Sequence, residues 1–348
     1  MTANDKTPTI QDVARAAGVS TATVSRALST PDLVSAPTRE RVAEAVALTG
    51  YTINQAARSL RLKTARTILV AFPNIGNAYY STVLDGVVHE ASSRGYGALV
   101  ANRLSDNPTR WLAEYFLSNR ADGMVLFDGT LDAKQLYNLK SPQGKFPLVV
   151  SFDELTDDRL HAVMTDNRTA AARATAYLIE LGHRRIGHLH VPSRSGFMAS
   201  ERLLGFQDAM GAAGLEIRPD WIFDGNFSLE SGEAAGGAFL RLKDRPSAIF
   251  IGNDPMAVSF ISVLRAGGVE CPRDLSIIGF DDIEISRFLS PPLTTMRQPR
   301  YEMGRLATKA LLDILESDQS NRAPLRIILK SELIIRDSTA PYVEPIPR

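Results

Sequence analysis

The sequence predicts an α/β protein: an amino-terminal three-helix head containing a helix-turn-helix, then a core of two subdomains built on doubly wound parallel sheets. Three observations predict it. Over the first 50 residues apolar side chains recur at helical spacing between the breakers Gly18, Pro31 and Gly50. From Thr67 onward short apolar runs alternate with amphipathic stretches, the pattern of parallel strands covered by helices on both faces. That alternation runs for about 270 residues, long for one such sheet, so two subdomains enclosing a cleft are expected.

The elements follow in order. Ile10, Val13, Ala14 and Ala17 lie on one face of a first helix, which Gly18 ends. Ser20 is placed to cap a second helix with a buried stripe of Val24, Ala27 and Leu28, stopped by Pro31. A third helix starts near Ala36 or Pro37, buries Val42, Ala45, Val46 and Leu48, and ends at Gly50. Asn54 to Lys63 is helix-competent but short, so it is expected to order only against a partner. Strand-like runs follow at Thr67–Phe72, Gly97–Ala101, Gly123–Phe127, Leu148–Phe152, Arg185–His190, Ser247–Ile251 and Leu275–Phe280. Helical stretches separate them at Val83–Ser93, Arg110–Asn119, Thr169–Leu181, Arg202–Ala213, Leu229–Leu240 and Met256–Ala266. Tyr301–Leu315 reads as a further helix, Leu325–Ile335 as one last strand, and the Pro-rich tail from Pro341 as frayed.

Composition narrows the function classes. Cys271 is the lone cysteine, so no disulfide scaffold is expected and a reducing compartment is the simplest reading. Met1 to Thr9 is polar, and no run approaches the roughly 18 apolar residues of a membrane span, so a cytoplasmic protein is expected. The 39 basic and 39 acidic residues cancel, but residues 1–66 hold nine of the former and five of the latter, +4 against −4 for the rest. A basic head fits a polyanion partner or a merely solvated face, and charge alone does not separate them.

The spacing of Val13 to Arg26 does more. Ala14 permits close helix approach, Gly18 supplies the turn, and Val19 and Val24 plug the joint of a helix-turn-helix. The second helix then presents Thr21, Ala22, Ser25 and Arg26, side chains suited to base edges in a major groove: an arginine pairs with guanine, and threonine or alanine methyls touch thymine. A purely structural helical hairpin is the alternative.

Thr9 to Leu28 resembles the head-piece signature of the LacI/GalR family of bacterial repressors. The likeness continues through Asp122-Gly123, Asp166-Asn167, Gly182–Gly187, Asn253-Asp254, Asp274–Asp282 and Pro291–Thr295. Within the family, Arg66–Val70, Gln298–Glu302 and Glu332–Thr339 are most similar to the cytidine-repressor branch. The resemblance implies a homodimeric regulator with a core like periplasmic sugar-binding proteins, double-stranded operator DNA of pseudo-palindromic sequence as partner, and a nucleoside or sugar as effector. It implies DNA contacts from Thr9, Ser20, Thr21, Ala22, Ser25 and Arg26, and a hinge helix in which Asn54, Ala57 and Leu60 match residues at the minor groove, Leu60 as an apolar wedge. Leu60 as a plain linker leucine packed on the core is the alternative. The expected domains are 8–52 for the head, 53–66 for the hinge, 67–338 for the core and 339–348 for a tail. The core divides into 67–163 plus 297–323 and 164–296 plus 324–338.

Ligands of open α/β sheets sit beyond the carboxyl ends of strands. Tyr79 and Tyr80 follow such an end and are either effector contacts or core anchors. The resemblance adds Arg202 for hydroxyls or acidic groups, Phe227 as an aromatic wall, Asn253 and Asp281 for ring or ribose hydroxyls, and Asp153 on a looser match. Asp281 and Asp282 as helix caps are the competing reading. Catalysis finds no support: there is no Gly-x-Ser-x-Gly elbow, no phosphate-cradling glycine loop ending in Lys-Ser/Thr, and no G-x-G-x-x-G after a strand. No cofactor and no metal are expected; His188 and His190 share one strand face without an evident third ligand and read as packed or solvated. The rivals are a transport receptor sharing the core fold and an enzyme carrying a DNA-binding head.

Overall fold

A computed structural model describes residues 8–52, 64–102, 114–115, 118, 120–127, 148–150, 160–192, 198–317 and 323–344. The chain forms two compact units, residues 1–64 and 65–348. The expected hinge residues Asn54, Ala57 and Leu60, the effector candidate Asp153, and most of the expected helix Arg110–Asn119 lie outside the described residues.

The first unit is a three-helix head: α1 (Ile10–Ala17), α2 (Thr21–Ser29) and α3 (Ala36–Thr49). Val13, Ala14, Ala17, Val24, Val42 and Ala45 are its buried core, with Val19, Ala27, Leu28 and Val46 packed around it. Gly18 takes φ +63° and a Cβ there would meet nothing within 4 Å, so the turn needs glycine for its backbone rather than for space. One expected core residue is not there: Leu48 is 83% exposed. The stripe of α3 runs through positions 42, 45, 46 and 49, and Leu48 lies about a quarter turn off it.

In the second unit, a parallel sheet has the order β11-β5-β4-β3-β1-β2. Its strands are β1 (Thr67–Phe72), β2 (Gly97–Asn102), β3 (Gly123–Leu126), β4 (Leu148–Val150), β5 (His161–Thr165) and β11 (Arg326–Leu329). The second sheet has the order β12-β10-β9-β8-β6-β7, with β12 antiparallel at its edge. It is made of β6 (Ile186–His190), β7 (Ile222–Asp224), β8 (Ala248–Ile251), β9 (Ser276–Asp281), β10 (Thr294–Arg297) and β12 (Glu332–Ile334). The helices are α4 (Tyr79–Ser93), α5 (Asn167–Glu180), α6 (Met198–Ala212), α7 (Leu229–Arg241), α8 (Asp254–Ala266) and α9 (Arg300–Glu316).

Strand periodicity explains the layers. Ile249 and Ile251 of β8 enter one cluster with Phe239 of α7 and Phe260 of α8, while Ala248 and Phe250 enter another with Ala174 of α5 and Phe206 of α6. His188 is fully buried in that second layer, stacked on Phe206 and Phe250 with Nδ1 hydrogen-bonded to the Phe250 carbonyl. Burial pushes its pKa down to about 3, so it is a neutral packing residue. His190 Nε2 lies 3.0 Å from Asp224, and no group of three or more metal-ligating side chains exists among the described residues.

The structure corrects four expectations. Strands β5, β7 and β10 were not expected; β7 has three residues, and β10 buries Thr294 and Thr295, whose hydroxyls bond internally and hide the strand from an apolar count. The single strand expected at Leu325–Ile335 is two, β11 in the first sheet and β12 in the second, so the segment 324–338 crosses between the halves rather than belonging to one. Thr165 still pairs within the first sheet, which moves that crossing past residue 163. The tail is not frayed through residue 344: the Tyr342 N–H donates to the Leu181 carbonyl at 2.8 Å, and His183 Nε2 holds Ala340 O at 3.1 Å.

A Cβ on Gly86 would lie 2.0 Å from Tyr301 O, and one on Gly304 2.0 Å from Val83 O, so α4 and α9 touch backbone to backbone. Gly304→Ala is expected to destabilise the core by about 1–3 kcal/mol through overpacking. A thermal melt of wild-type and variant proteins checks it, and an unchanged midpoint would contradict the contact.

Candidate functional site

In the head, Thr21, Ala22 and Arg26 are exposed on α2 and Ser25 is half-buried, opposite the buried Val24. The alternation follows from the helical repeat: positions 21, 22, 25 and 26 share a face, and 24, 27 and 28 share the other. Ser20 is the N-cap of α2: its Oγ accepts the Thr23 N–H at 3.1 Å. Thr9 caps α1 through Asp12, to whose Oδ2 both its N–H and its hydroxyl donate, at 2.9 and 2.7 Å. The hydroxyls of Thr9 and Ser20 are therefore engaged within the head, unlike the exposed Arg26 guanidinium.

In the second unit, a cleft of about 580 Å³, its open mouth included, is lined by Tyr79, Tyr80, Arg202, Phe227, Asn253 and Asp281. Six of the seven expected effector residues thus converge, and the seventh, Asp153, lies outside the described residues. The reason is topological: apart from Arg202, which α6 carries, the lining comes from the carboxyl ends of β1, β7, β8, β9 and β10 or the chain just past them, drawn from both sheets. Such a volume suits a small ligand.

Arg202 is the centre of the polar network. It is 5% exposed; its Nε donates to Asn167 Oδ1 at 2.8 Å, Nη1 donates to the Gly252 carbonyl, and Nη1 stands 3.9 Å from Asp281 Oδ1. Its guanidinium also lies over the Phe280 ring at 3.8 Å and the Phe227 ring at 5.9 Å. Asp281 accepts Gln298 Nε2 at 2.6 Å, and burial pushes its pKa up to about 6 against the opposing pull of Arg202. It takes φ +118° and Asp282 +54°, conformations costly for residues with a Cβ. Neither caps a helix: Asp282 instead binds Arg297 at 2.7 Å and Arg336 at 2.6 Å, which hold its carboxyl below the usual range despite burial.

Asn253 caps α8, accepting the Met256 N–H at 3.0 Å, while its Nδ2 donates to the Phe227 carbonyl at 3.1 Å. Phe227 has φ +66°, so Asn253 holds a strained aromatic wall in place. The two tyrosines divide the alternatives open for them. Tyr80 is 9% exposed and stacks 4.8 Å from Phe72, a core anchor at the cleft wall; Tyr79 is half-buried and donates its hydroxyl to Gln298 Oε1 at 3.4 Å.

Sequence reasoning missed Asn74, Asn77, Asn226, Ser228 and Gln298, which also line the cleft. Asn226, Ser228 and Gln298 follow strands β7 and β10, and the strand-end rule would have found them had those strands been recognised. Asp254 was also passed over. It is fully buried beneath Asp281, accepting Ile283 N at 3.0 Å and the Ser286 and Thr295 hydroxyls at 2.7 Å each, in space that Gly279 leaves open. Burial, aided by Asp281, pushes its pKa up to about 7.

Comparison with known proteins identifies the family and the fold. Residues 9–54 match bacterial regulatory proteins of the lacI family, and residues 175–339 match a periplasmic binding protein-like domain. The HTH-type transcriptional repressor CytR of Escherichia coli K12 is 36% identical over 332 residues, covering 95% of this chain and 96% of the relative. The HTH-type transcriptional repressor PurR of Photobacterium profundum is 34% identical over 336 residues, 95% of this chain and 98% of the relative. Among solved structures, the lac repressor dimer bound to operator and the anti-inducer ONPF superposes with a TM-score of 0.84 at 26% identity, covering 96% of this chain and all of that one. A complex of the transcriptional regulator CelR with cellobiose gives 0.71 at 30% identity, covering 95% and 99%.

Proposed function

The chain belongs to the lacI family of bacterial regulatory proteins, as a ligand-responsive DNA-binding transcriptional repressor, and from that premise we propose which residues read DNA and what the cleft binds. Thr21, Ala22, Ser25 and Arg26 contact base edges in the major groove, with Thr9 and Ser20 setting the helix ends against phosphates. Asn54, Ala57 and Leu60 act at the minor groove as the hinge. A homodimer presents two heads to a pseudo-palindromic operator; Val88, Val100, Ile285 and Phe288, each more than a third exposed, offer apolar surface for a second copy. The protein works in the cytoplasm, where the duplex is, and performs no chemistry on its ligand.

The effector is an uncharged nucleoside or sugar. One observation carries this: the charged side chains lining the described cleft are Arg202 and Asp281, which offset each other, and the rest are amides, a serine, a proline and aromatics. A phosphorylated or carboxylated ligand would meet no surplus cation there, whereas hydroxyls and a flat ring find hydrogen-bonding amides and the Phe227 face. Thermal-shift screening of residues 65–348 against cytidine, adenosine, ribose, hexoses and polyols, with the matching phosphates as controls, tests it. A neutral compound at 100 times its Kd is expected to add about 2.7 kcal/mol. Stabilisation by the phosphates alone would overturn the assignment.

Affinity for that compound should depend on pH. Only ionised Asp281 accepts hydrogen bonds with both oxygens, and its pKa sits at about 6. Affinity is therefore expected to fall as pH drops from 7.5 to 5, with Asp281→Asn binding weakly and without that pH dependence. Calorimetric titration at several pH values measures both.

A further inference from the structure

The chain between β9 and β10 faces two ways. Asp281, the last residue of β9, lines the cleft, while Ile285 and Phe288 a few residues on are exposed at the surface. Ile283 and Ser286 alternate with them and are buried. The segment Glu284–Phe288 is a single 3-10 turn of five residues, which has few hydrogen bonds of its own to hold it in place. Its start is strained as well, since Asp281 and Asp282 both take positive φ and keep that backbone only where neighbours impose it.

Asp254, the first residue of α8, does not line the described cleft, and all three of its hydrogen bonds go to this region. Oδ2 accepts the Ile283 N–H at 3.0 Å and the Ser286 hydroxyl at 2.7 Å, and Oδ1 accepts the Thr295 hydroxyl of β10 at 2.7 Å. The carboxylate fits beneath β9 because residue 279 is glycine: a Cβ there would lie 2.2 Å from Oδ1. The two oxygens serve unequal partners. β10 is an interior strand, with Thr295 paired to Gly279 of β9 on one side and to Ile334 of β12 on the other, so the sheet fixes Thr295 without help. Ile283 and Ser286 lie outside any strand.

We propose that Asp254 is a positioning residue for the contact between subunits: gripping Ile283 and Ser286 from inside, it sets Ile285 and Phe288 where a second copy of the chain meets them. The inference rests on the homodimer reading given above. A turn held in its bound shape before association loses little freedom on docking, whereas a loose one must be ordered as the subunits meet, and that ordering is subtracted from the affinity. The same bonds brace the chain that carries Asp281, so one buried carboxylate supports a cleft residue and a subunit surface from below.

Subunit exchange between full chains carrying donor and acceptor dyes, followed by energy transfer, tests the proposal without effector or DNA. Ser286→Ala is expected to speed exchange by about ten-fold, the worth of one hydrogen bond to a charged group. Thr295→Val removes an equally short bond to the same carboxylate and should lower the melting midpoint at least as much, yet leave exchange at the wild-type rate. A residue that merely stabilised the fold would move exchange in step with stability in both variants. Asp254→Asn should also exchange like wild type, because its carbonyl accepts from Ile283 and Ser286 while its amide donates to the Thr295 hydroxyl. Wild-type exchange in Ser286→Ala, or equal acceleration in Ser286→Ala and Thr295→Val, would overturn the proposal. Failure of the dimer reading registers separately: Phe288→Asp exchanging like wild type would remove this turn from the subunit contact, and no energy transfer between wild-type chains would remove the dimer itself.

Discussion

Arg26→Ala is expected to lower affinity for an operator selected from random duplexes by roughly 5- to 150-fold, the worth of about 1–3 kcal/mol for one bidentate base contact. Binding to random duplex should change far less. The Arg26 side chain is exposed on α2 and contributes nothing to the head's buried core of Val13, Val24 and Val42, so the variant's melting midpoint should match wild type. Arg26→Lys keeps the charge and discards the planar fork, so it should restore non-specific affinity without specificity. Competition binding with selected and scrambled duplexes reads both effects. Equal affinity of Arg26→Ala and wild type for the selected site would remove α2 from the role of reading helix.

Arg202→Ala should do the most damage in the core. Truncation strands the Asn167 Oδ1, the Gly252 carbonyl and the Asp281 carboxylate, all buried, and leaves the Phe280 face without its cation. Removing one partner of a buried pair costs about 3–5 kcal/mol, and ligand affinity should fall below detection. The loss has a pH signature. Arg202 is what restrains the upward shift of Asp281, so in the variant that pKa rises further above its unfolded value. A carboxyl with a raised folded pKa favours folding at low pH and costs stability as pH climbs through the folded pKa. The destabilisation should therefore be larger at pH 8 than at pH 5. Melts of the two proteins across that range check it, and a pH-independent difference would mean that Asp281 does not depend on Arg202.

Much of this site was legible before any coordinates. Gly18, Ser20 and Val24 mark a helix-turn-helix because turn, cap and plug are local requirements, met within a few residues of one another. Arg202, Phe227, Asn253 and Asp281 were reached through resemblance to a family, and the fold brings them into one cleft. Of the strands that escaped, β7 has three residues, and β10 carries threonines whose hydroxyls are satisfied by Asp254, Thr339 and the Arg336 carbonyl. Losing β10 meant losing Gln298 at its end. Leu48 failed for a related reason, since one apolar residue beside a helical stripe carries no signal of which side of it faces water.

The amino-acid order by itself determined the helix-turn-helix, the alternation that makes two covered sheets and the polar character of the strand ends. These depend on periods of two and 3.6 residues and on single breakers, which any stretch of chain displays locally. Only the tertiary structure decided that Asn253 serves Phe227 rather than facing the cleft freely, that 324–338 divides between two sheets, and that Asp254 grips the turn after β9. Each of those facts joins residues far apart in sequence, and a hydrogen bond or a backbone contact between distant segments exists only once packing has chosen which faces meet.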